Sequence, residues 1–319
     1  MIRKILTMAA IFSLLASCGS GSTEQVTGEN GEPIMGNTIV RPLNVMHTCK
    51  TLNVSGNWRV ELNDSVQGPT IVVNEDLLPY ITIDVDDWRV KLNNKPRMKV
   101  RMKDYPEPCL QLPSRNDFSA IRMSGATMLV GSSLSGIEDF DVVMSGDASF
   151  MVDSLNYMEG IDIEMSGATM FGCKSLKTDE MDIEMSGSSN ADIAILGMED
   201  EVDVDMSGAT NMRLHCEVLA LNLDMSGSSK LDLQGKAIEM NAKLSGASWI
   251  DSFEEKEEVT SANMFIVDIA KVGIKGSAKM RFQCNDKLKV NAMGNAYVLY
   301  RGNPKTTVKS SGSARVEIM

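Results

Sequence analysis

The chain has 319 residues, 43% of them hydrophobic, and its formal net charge is −12 at pH 7. This length and hydrophobic content are sufficient for a sizeable packed core, whereas the acidic excess repels phosphate groups. DNA, RNA and anionic lipid headgroups are therefore excluded as expected partners.

Residues 1–17 have the order of a bacterial lipoprotein signal peptide. Arg3 and Lys4 precede an apolar run that is too short to span a membrane, and small residues then lead to Cys18. We expect a lipid on Cys18 and a place in the cell envelope at the outer membrane, with the periplasmic or outer side left open. The alternative is an ordinary secretory peptide with a coincidental cysteine. Residues 18–40 are rich in Gly, Ser, Thr and Glu, and we expect them to form the lipidated N-terminus and a flexible tether.

The folded domain is expected to span residues 41–319. Its first part, 41–117, alternates like β-strands but without a clear period, although Gly56 already follows a serine as in a Ser-Gly turn. Cys49 and Cys109 both lie in this part, so a disulfide between them is one possible pairing.

Residues 118–319 repeat the tripeptide Met-Ser-Gly, or a close variant, about once every 20 residues. Each unit alternates apolar and acidic residues before the glycine, which is typical of a strand followed by a bend. We expect every repeat to be one coil of a parallel stack, with equivalent strands about 4.8 Å apart. A leucine-rich repeat has a similar period but needs a leucine framework and an asparagine column, which the sequence lacks. The repeat glycines are Gly125, Gly146, Gly167, Gly187, Gly208, Gly227 and Gly246, with weaker echoes at Gly276, Gly294 and Gly312.

Methionine occupies one position of six consecutive repeats, and leucine takes that position in the seventh. Thioethers bind Cu(I), but a leucine at the same position favours a core ladder over a metal site. Cys216 and Cys284 each follow a repeat glycine by the same spacing, and we expect both to be buried as small apolar residues. The ladder consists of Met123, Met144, Met165, Met185, Met206, Met225 and Leu244.

Acidic residues recur five and three residues before the repeat glycines. Because strand side chains alternate, both columns are expected on the exposed face of one sheet, opposite the methionines. Two interpretations stay open: a plain solvated face, or a face that binds Ca²⁺ weakly or another ligand. The columns contain Asp141, Asp162, Glu164, Asp182, Glu184, Asp203, Asp205 and Asp224.

Three features occur in the order of a known family: Val54-Ser55-Gly56, the Met-Ser-Gly-Ala and Met-Ser-Gly-Ser units, and the closing Tyr300-Arg301-Gly302-Asn303-Pro304. With them, residues 42–319 resemble the head GIN domain family of putative auto-transporter adhesins. The resemblance implies an all-β fold, a right-handed single-stranded parallel β-helix (β-solenoid). It implies no catalytic residues. The acidic, methionine-rich units and the charged insertion at 254–258 are departures of this chain.

We expect a lipid-anchored, non-catalytic binding or adhesion module for glycans or surface proteins, with no cofactor other than weakly bound Ca²⁺. The alternatives are a polysaccharide-processing enzyme and an envelope structural or lipid-binding protein. His47 and His215 have no nucleophile motif beside them, and a ladder of equivalent acids lacks the unlike pair of carboxyl groups that a glycosidase needs.

Overall fold

The structure is a computed structural model that describes residues 36–44, 50–85, 89–94, 105–113, 117–252 and 264–319. The predicted signal peptide, Cys18, His47, Cys49 and the insertion at 254–258 lie outside the described residues. No helix in the described part of the chain is long and apolar enough to cross a membrane.

The described residues form β-strands and one short 3-10 helix, Glu75–Tyr80. The strands are β1 Thr38–Pro42, β2 Thr51–Gly56, β3 Arg59–Leu62, β4 Thr70–Asn74, β5 Ile81–Val85, β6 Arg89–Asn94, β7 Cys109–Leu112, β8 Ala120–Gly125, β9 Met128–Gly136, β10 Phe140–Met144, β11 Ser149–Tyr157, β12 Gly160–Met165, β13 Met170–Lys177, β14 Glu180–Met185, β15 Asn190–Met206, β16 Asn211–Met225, β17 Lys230–Leu244, β18 Trp249–Asp251, β19 Phe265–Gly276, β20 Lys279–Gly294, β21 Tyr297–Arg301, β22 Lys305–Gly312 and β23 Arg315–Ile318.

Each coil contributes a strand before its glycine bend and a strand after it, and equivalent strands of successive coils pair in parallel. We call the sheet before the bends the first sheet; its order is β6, β2, β8, β10, β12, β14, the later halves of β15, β16 and β17, then β19, the later half of β20, and β22. The second sheet follows the bends; its order is β7, β3, β9, β11, β13, the earlier halves of β15, β16 and β17, then β18, the earlier half of β20, β21 and β23. The predicted β-solenoid is confirmed.

The bends stack into an unbroken column of glycines with φ between 72° and 118°. L-residues with a side chain rarely adopt such angles. A Cβ on Gly187 would lie 2.7 Å from the carbonyl oxygen of Gly167, and most other bends of the column are equally close to the preceding one. The bends are held together by backbone bonds such as Ser188 N–H to the Gly167 oxygen, 2.8 Å. The column contains Gly56, Gly125, Gly146, Gly167, Gly187, Gly208, Gly227, Gly246, Gly276, Gly294 and Gly312.

The core runs up the inside of the coils, and the methionine ladder lies within it. Met185 is 2% exposed, and the other members, including Leu244, are equally buried. This confirms the core interpretation of the ladder. Aromatic side chains also stack along the axis: the rings of Phe150 and Phe171 are 5.1 Å apart and nearly parallel.

Buried cysteines complete this core. Cys216 and Cys284 are fully buried at equivalent positions of their coils, as predicted, and Cys173 is 3% exposed. Burial raises the pKa of the Cys173 and Cys284 thiols to about 11, which keeps them protonated at neutral pH. The proposed pairing of Cys49 with Cys109 stays a prediction, because Cys49 lies outside the described residues.

The start of the domain departs from the expected boundaries. Strand β1 begins at Thr38, inside the predicted tether, and pairs antiparallel with β4. Strands β2 and β3 belong to the regular stack, because they pair in parallel with β8 and β9. The intervening residues return on the other side of β2 and β3 as β6 and β7, and antiparallel pairs β4–β7 and β5–β6 close this end. No clear period is visible in this part of the sequence because β4 to β7, which cap the stack, interrupt the regular spacing.

Candidate binding faces

The predicted acidic columns lie on the exposed face of the first sheet, opposite the buried methionines. Asp162, Asp182 and Asp203 are neighbours in register, as are Glu164, Glu184 and Asp205. Asp141 and Asp224 extend the two columns by one coil each. We call this surface the acidic face. All eight side chains are exposed or half-buried, as the alternation predicted.

Repulsion across the acidic face is only partly relieved within the chain. Partial burial and then the neighbouring Asp182 raise the pKa of Asp162, and the pKa values of Asp182 and Asp205 are raised in the same way, by burial first and then by the adjacent carboxylates. Among the described residues, ion pairs occur only at the two ends, Arg122 with Asp141 at 3.9 Å and Lys243 with Asp224 at 4.0 Å.

A shallow groove of about 420 Å³ follows the acidic face along the solenoid axis. Three of its serine hydroxyls, those of Ser166, Ser186 and Ser207, donate to backbone carbonyl oxygens; Ser186 Oγ donates to that of Met165 at 3.2 Å. No three acidic, histidine or cysteine side chains of the described chain converge on one point as a metal site requires. The groove is thus an open row of carboxylates, lined by Glu164, Glu184, Asp205 and Asp224 and by Ser166, Ser186, Ser207 and Ser226.

A second groove, of about 310 Å³, crosses the second sheet and was not predicted from the sequence. We call it the amide groove. Asn211 Nδ2 donates to Asn190 Oδ1 at 3.3 Å, and the Arg213 guanidinium pairs with Asp192 at 2.7 Å. Lys230 completes the row that begins at Asn190. The same spacing, three and five residues after each repeat glycine, could have revealed this row, but its residue types vary from coil to coil.

Trp249 continues the row of the amide groove by one coil, since it pairs in register with Lys230. The Lys230 ammonium lies 5.4 Å and the Arg281 guanidinium 5.7 Å from its ring centroid. Arg281 in turn forms a bidentate ion pair with Asp251. The indole is therefore held by cation–π contacts in a surface rich in donors and acceptors.

Catalytic groups are not brought together by the fold in the described residues. His215 is half-buried on the second sheet, beside Ala194 and Gln234 in register. The carboxylates with raised pKa values repeat one environment instead of forming an unlike pair. The arrangement suits binding of an extended ligand better than bond cleavage.

These features define a β-solenoid with two chemically different outer faces. The sequence matches the family described as putative auto-transporter adhesin, head GIN domain, over residues 49–200 and 196–304, and the chain belongs to this family. No curated protein matches the sequence.

A solved structure shares this architecture, and others are similar to it to a lesser degree. A putative adhesin from Parabacteroides distasonis is 18% identical, with a TM-score of 0.50 over 92% of this chain and 99% of the other. A putative adhesin from Parabacteroides merdae is 18% identical (TM-score 0.44; 89% and 95% covered), and a putative lipid binding protein from P. distasonis is 14% identical (TM-score 0.38; 92% and 99%). At these identities the likeness concerns the fold alone.

Proposed function

We propose that the protein is a non-catalytic adhesion module of the cell envelope that binds a glycan along the amide groove. The observation that carries this proposal is the row of amide, carboxylate and cationic groups at Asn190, Asn211, Asp192, Arg213 and Lys230. Such groups offer donors and acceptors side by side, which is what a ligand dense in hydroxyl groups requires. Membership of a family described as putative adhesins supports a binding role.

The geometry of the groove suits a linear ligand. Successive coils repeat the row about every 4.8 Å along the axis, so an extended chain would meet a further side chain of the row at each step. The Asn190–Asn211 hydrogen bond and the Asp192–Arg213 ion pair fix side chains across adjacent coils. Less side-chain entropy is then lost on binding.

A glycan array with residues 19–319, which retain every described residue, tests the proposal. We expect binding to a restricted set of glycans and at least tenfold weaker binding by the double variant Asn211→Ala, Arg213→Ala. Glu184→Gln, on the other sheet, is the matched control and should bind normally. An array with no hit, or an unaffected double variant, would contradict the assignment to this groove.

Membrane attachment through Cys18 is the second part of the proposal. It is supported by the basic start, the short apolar run and the cysteine that follows small residues. Radiolabelled fatty acid should be incorporated into the wild-type chain, and Cys18→Ala should abolish the label. Label retained in the variant would show that the lipid is attached to another residue.

Weak Ca²⁺ binding to the acidic face is a further candidate property. The raised pKa values of Asp162, Asp182 and Asp205 support it, because they report repulsion that a cation would relieve. The open row of carboxylates matches loose association better than a closed coordination shell.

A further inference from the structure

The exposed face of the first sheet changes sign along the solenoid axis. Strands β10, β12, β14 and the later halves of β15 and β16 carry the acidic face, with Glu180 and Glu201 beside it. Apart from the exposed Glu239, the same face carries lysines from the later half of β17 onward. They are all exposed: Lys243, Lys271, Lys275, Lys287, Lys289, Lys305 and Lys309.

The two halves occupy the same register columns. The column of Asp162, Asp182 and Asp203 continues through Asn222 and Asn241 to Lys271 and Lys289. The halves meet within the chain only at the Asp224–Lys243 pair. Among the described residues, the lysines beyond Lys243 form no ion pair within 4 Å, and neither do the six carboxylates between Asp162 and Asp205 in the two columns. Within the described part of the chain, most charges of each half are therefore left without a counter-charge.

We propose that this face docks against the same face of a second copy, with the two solenoid axes antiparallel. The two-fold axis then passes between β16 and β17, at the boundary of the two halves. Each acidic half lies over the lysine half of the other copy. A two-fold interface of this kind is isologous, so both contacts form at once and the assembly closes as a dimer.

The register supports this arrangement at four opposite-charge pairs, whereas Asp162, Glu184 and Asp205 face uncharged groups, the partner's Thr307, Asn291 and Gly273. When β16 is placed opposite the partner's β17, β15 meets β19, β14 meets β20 and β12 meets β22. Asp224 then faces the partner's Lys243, Asp203 faces the partner's Lys271, and Asp182 faces the partner's Lys289. Asn222 faces the partner's Asn241, and Glu164 faces the partner's Lys309. The parallel arrangement would put acid on acid and lysine on lysine, and is disfavoured.

The face is also large enough for a stable dimer. Eight strands at about 4.8 Å give a length of about 38 Å, and seven residues at about 3.3 Å give a width of about 23 Å. The product, roughly 850 Å² per copy, is close to the ~800 Å² per partner of an ordinary specific interface. The amide groove lies on the other sheet and stays open in such a dimer.

Sedimentation of residues 19–319 over a range of protein and NaCl concentrations tests the proposal. We expect a monomer–dimer equilibrium that shifts to monomer as NaCl is raised, because screening weakens charge pairing. Two charge-reversed variants should be monomeric at low salt: Asp182→Lys with Asp203→Lys, and Lys271→Glu with Lys289→Glu. The control Asp192→Lys with Asp232→Lys changes the same charges on the second sheet and should dimerise as the wild type does.

Mixing the two charge-reversed variants gives the decisive result. All four opposed pairs are restored only in a mixed dimer, so the mixture should sediment as a dimer at low salt. Thermal melts check that every variant is folded; should one fail, Lys271→Gln with Lys289→Gln should still weaken dimerisation at least tenfold. A wild-type monomer at all concentrations, charge-reversed dimers, or a mixture that stays monomeric would each overturn the proposal. None of these outcomes affects glycan binding by the amide groove.

Discussion

At the scale of single residues, each repeat depends on a glycine that no other residue can replace. The glycine of each unit combines a positive φ with backbone contact to the preceding coil, as Gly187 does with Gly167. In several units a buried hydroxyl two residues later folds back onto the same bend; Ser189 Oγ, for example, donates to the Ser186 oxygen at 3.0 Å. The sequence showed the glycine and its spacing, whereas the role of the second small residue became clear only from its burial.

Gly187→Ala should lower the free energy of unfolding by at least about 2 kcal/mol, because the left-handed conformation and a backbone clash both oppose the new methyl group. Gly68→Ala is the control, since a Cβ there meets nothing within 4 Å. Urea denaturation measures both. Equal stability of the two variants would mean that the bends are not in close contact.

Met185→Asp should cost about 3 to 5 kcal/mol, because it places an unpaired charge in the middle of the core. The adjacent Glu184→Asp keeps its charge on the exposed face and should leave stability nearly unchanged. Thermal unfolding distinguishes the two. A stable Met185→Asp variant would reverse the inside and outside of every coil, since neighbouring strand residues point to opposite faces.

At the scale of the strand, repeating one sequence pattern in register produces a continuous surface of like side chains, which a single strand cannot form. Asp162, Asp182 and Asp203 would be ordinary exposed acids if they were isolated, but stacking brings them next to one another. The sequence was sufficient to predict this face. It was not sufficient for the amide groove, because a mixed column of Asn, Lys and Trp has no periodic signature.

The stacked acids predict an unusual pH dependence. Because the folded-state pKa values of Asp162, Asp182 and Asp205 are raised, protonation favours the folded state. Their contribution to stability should therefore increase as pH falls from 7 through the raised pKa values toward the ordinary carboxyl value of about 4. Replacing all three with Asn should flatten the melting temperature over this range. A wild-type melting temperature that follows the same course as that of the Asn variant over this range would contradict the stacking.

Calcium should raise the melting temperature more than NaCl of equal ionic strength, because the unfolded chain lacks the ordered carboxylates. Changing Glu164 and Glu184 to Gln and Asp205 to Asn should remove that excess and raise stability without calcium. If calcium and NaCl act alike on the wild type, the acidic face is only solvated.

At the scale of the whole molecule, the period in the sequence predicted the stack but not its closed end. Strands β2 and β3 are coil neighbours of β8 and β9 although β4 to β7 lie between them in the chain. The capping strands β1, β4 and β5 pair antiparallel and occur once, so they leave no repeat to detect. The charge order of the first sheet likewise emerges only when distant units are aligned along one axis.

Each sequence repeat forms one coil of the stack. Both grooves, the charge order of the first sheet and the glycine column follow from it. Spin labels at exposed positions one residue after the bends measure this directly, with Asp147 paired in turn with Ser228, Ser277 and Ser313. At about 4.8 Å per coil, the distances should grow linearly, to about 19, 29 and 38 Å. Distances that fail to increase with the number of intervening bends would contradict the stack and the functional surfaces built on it.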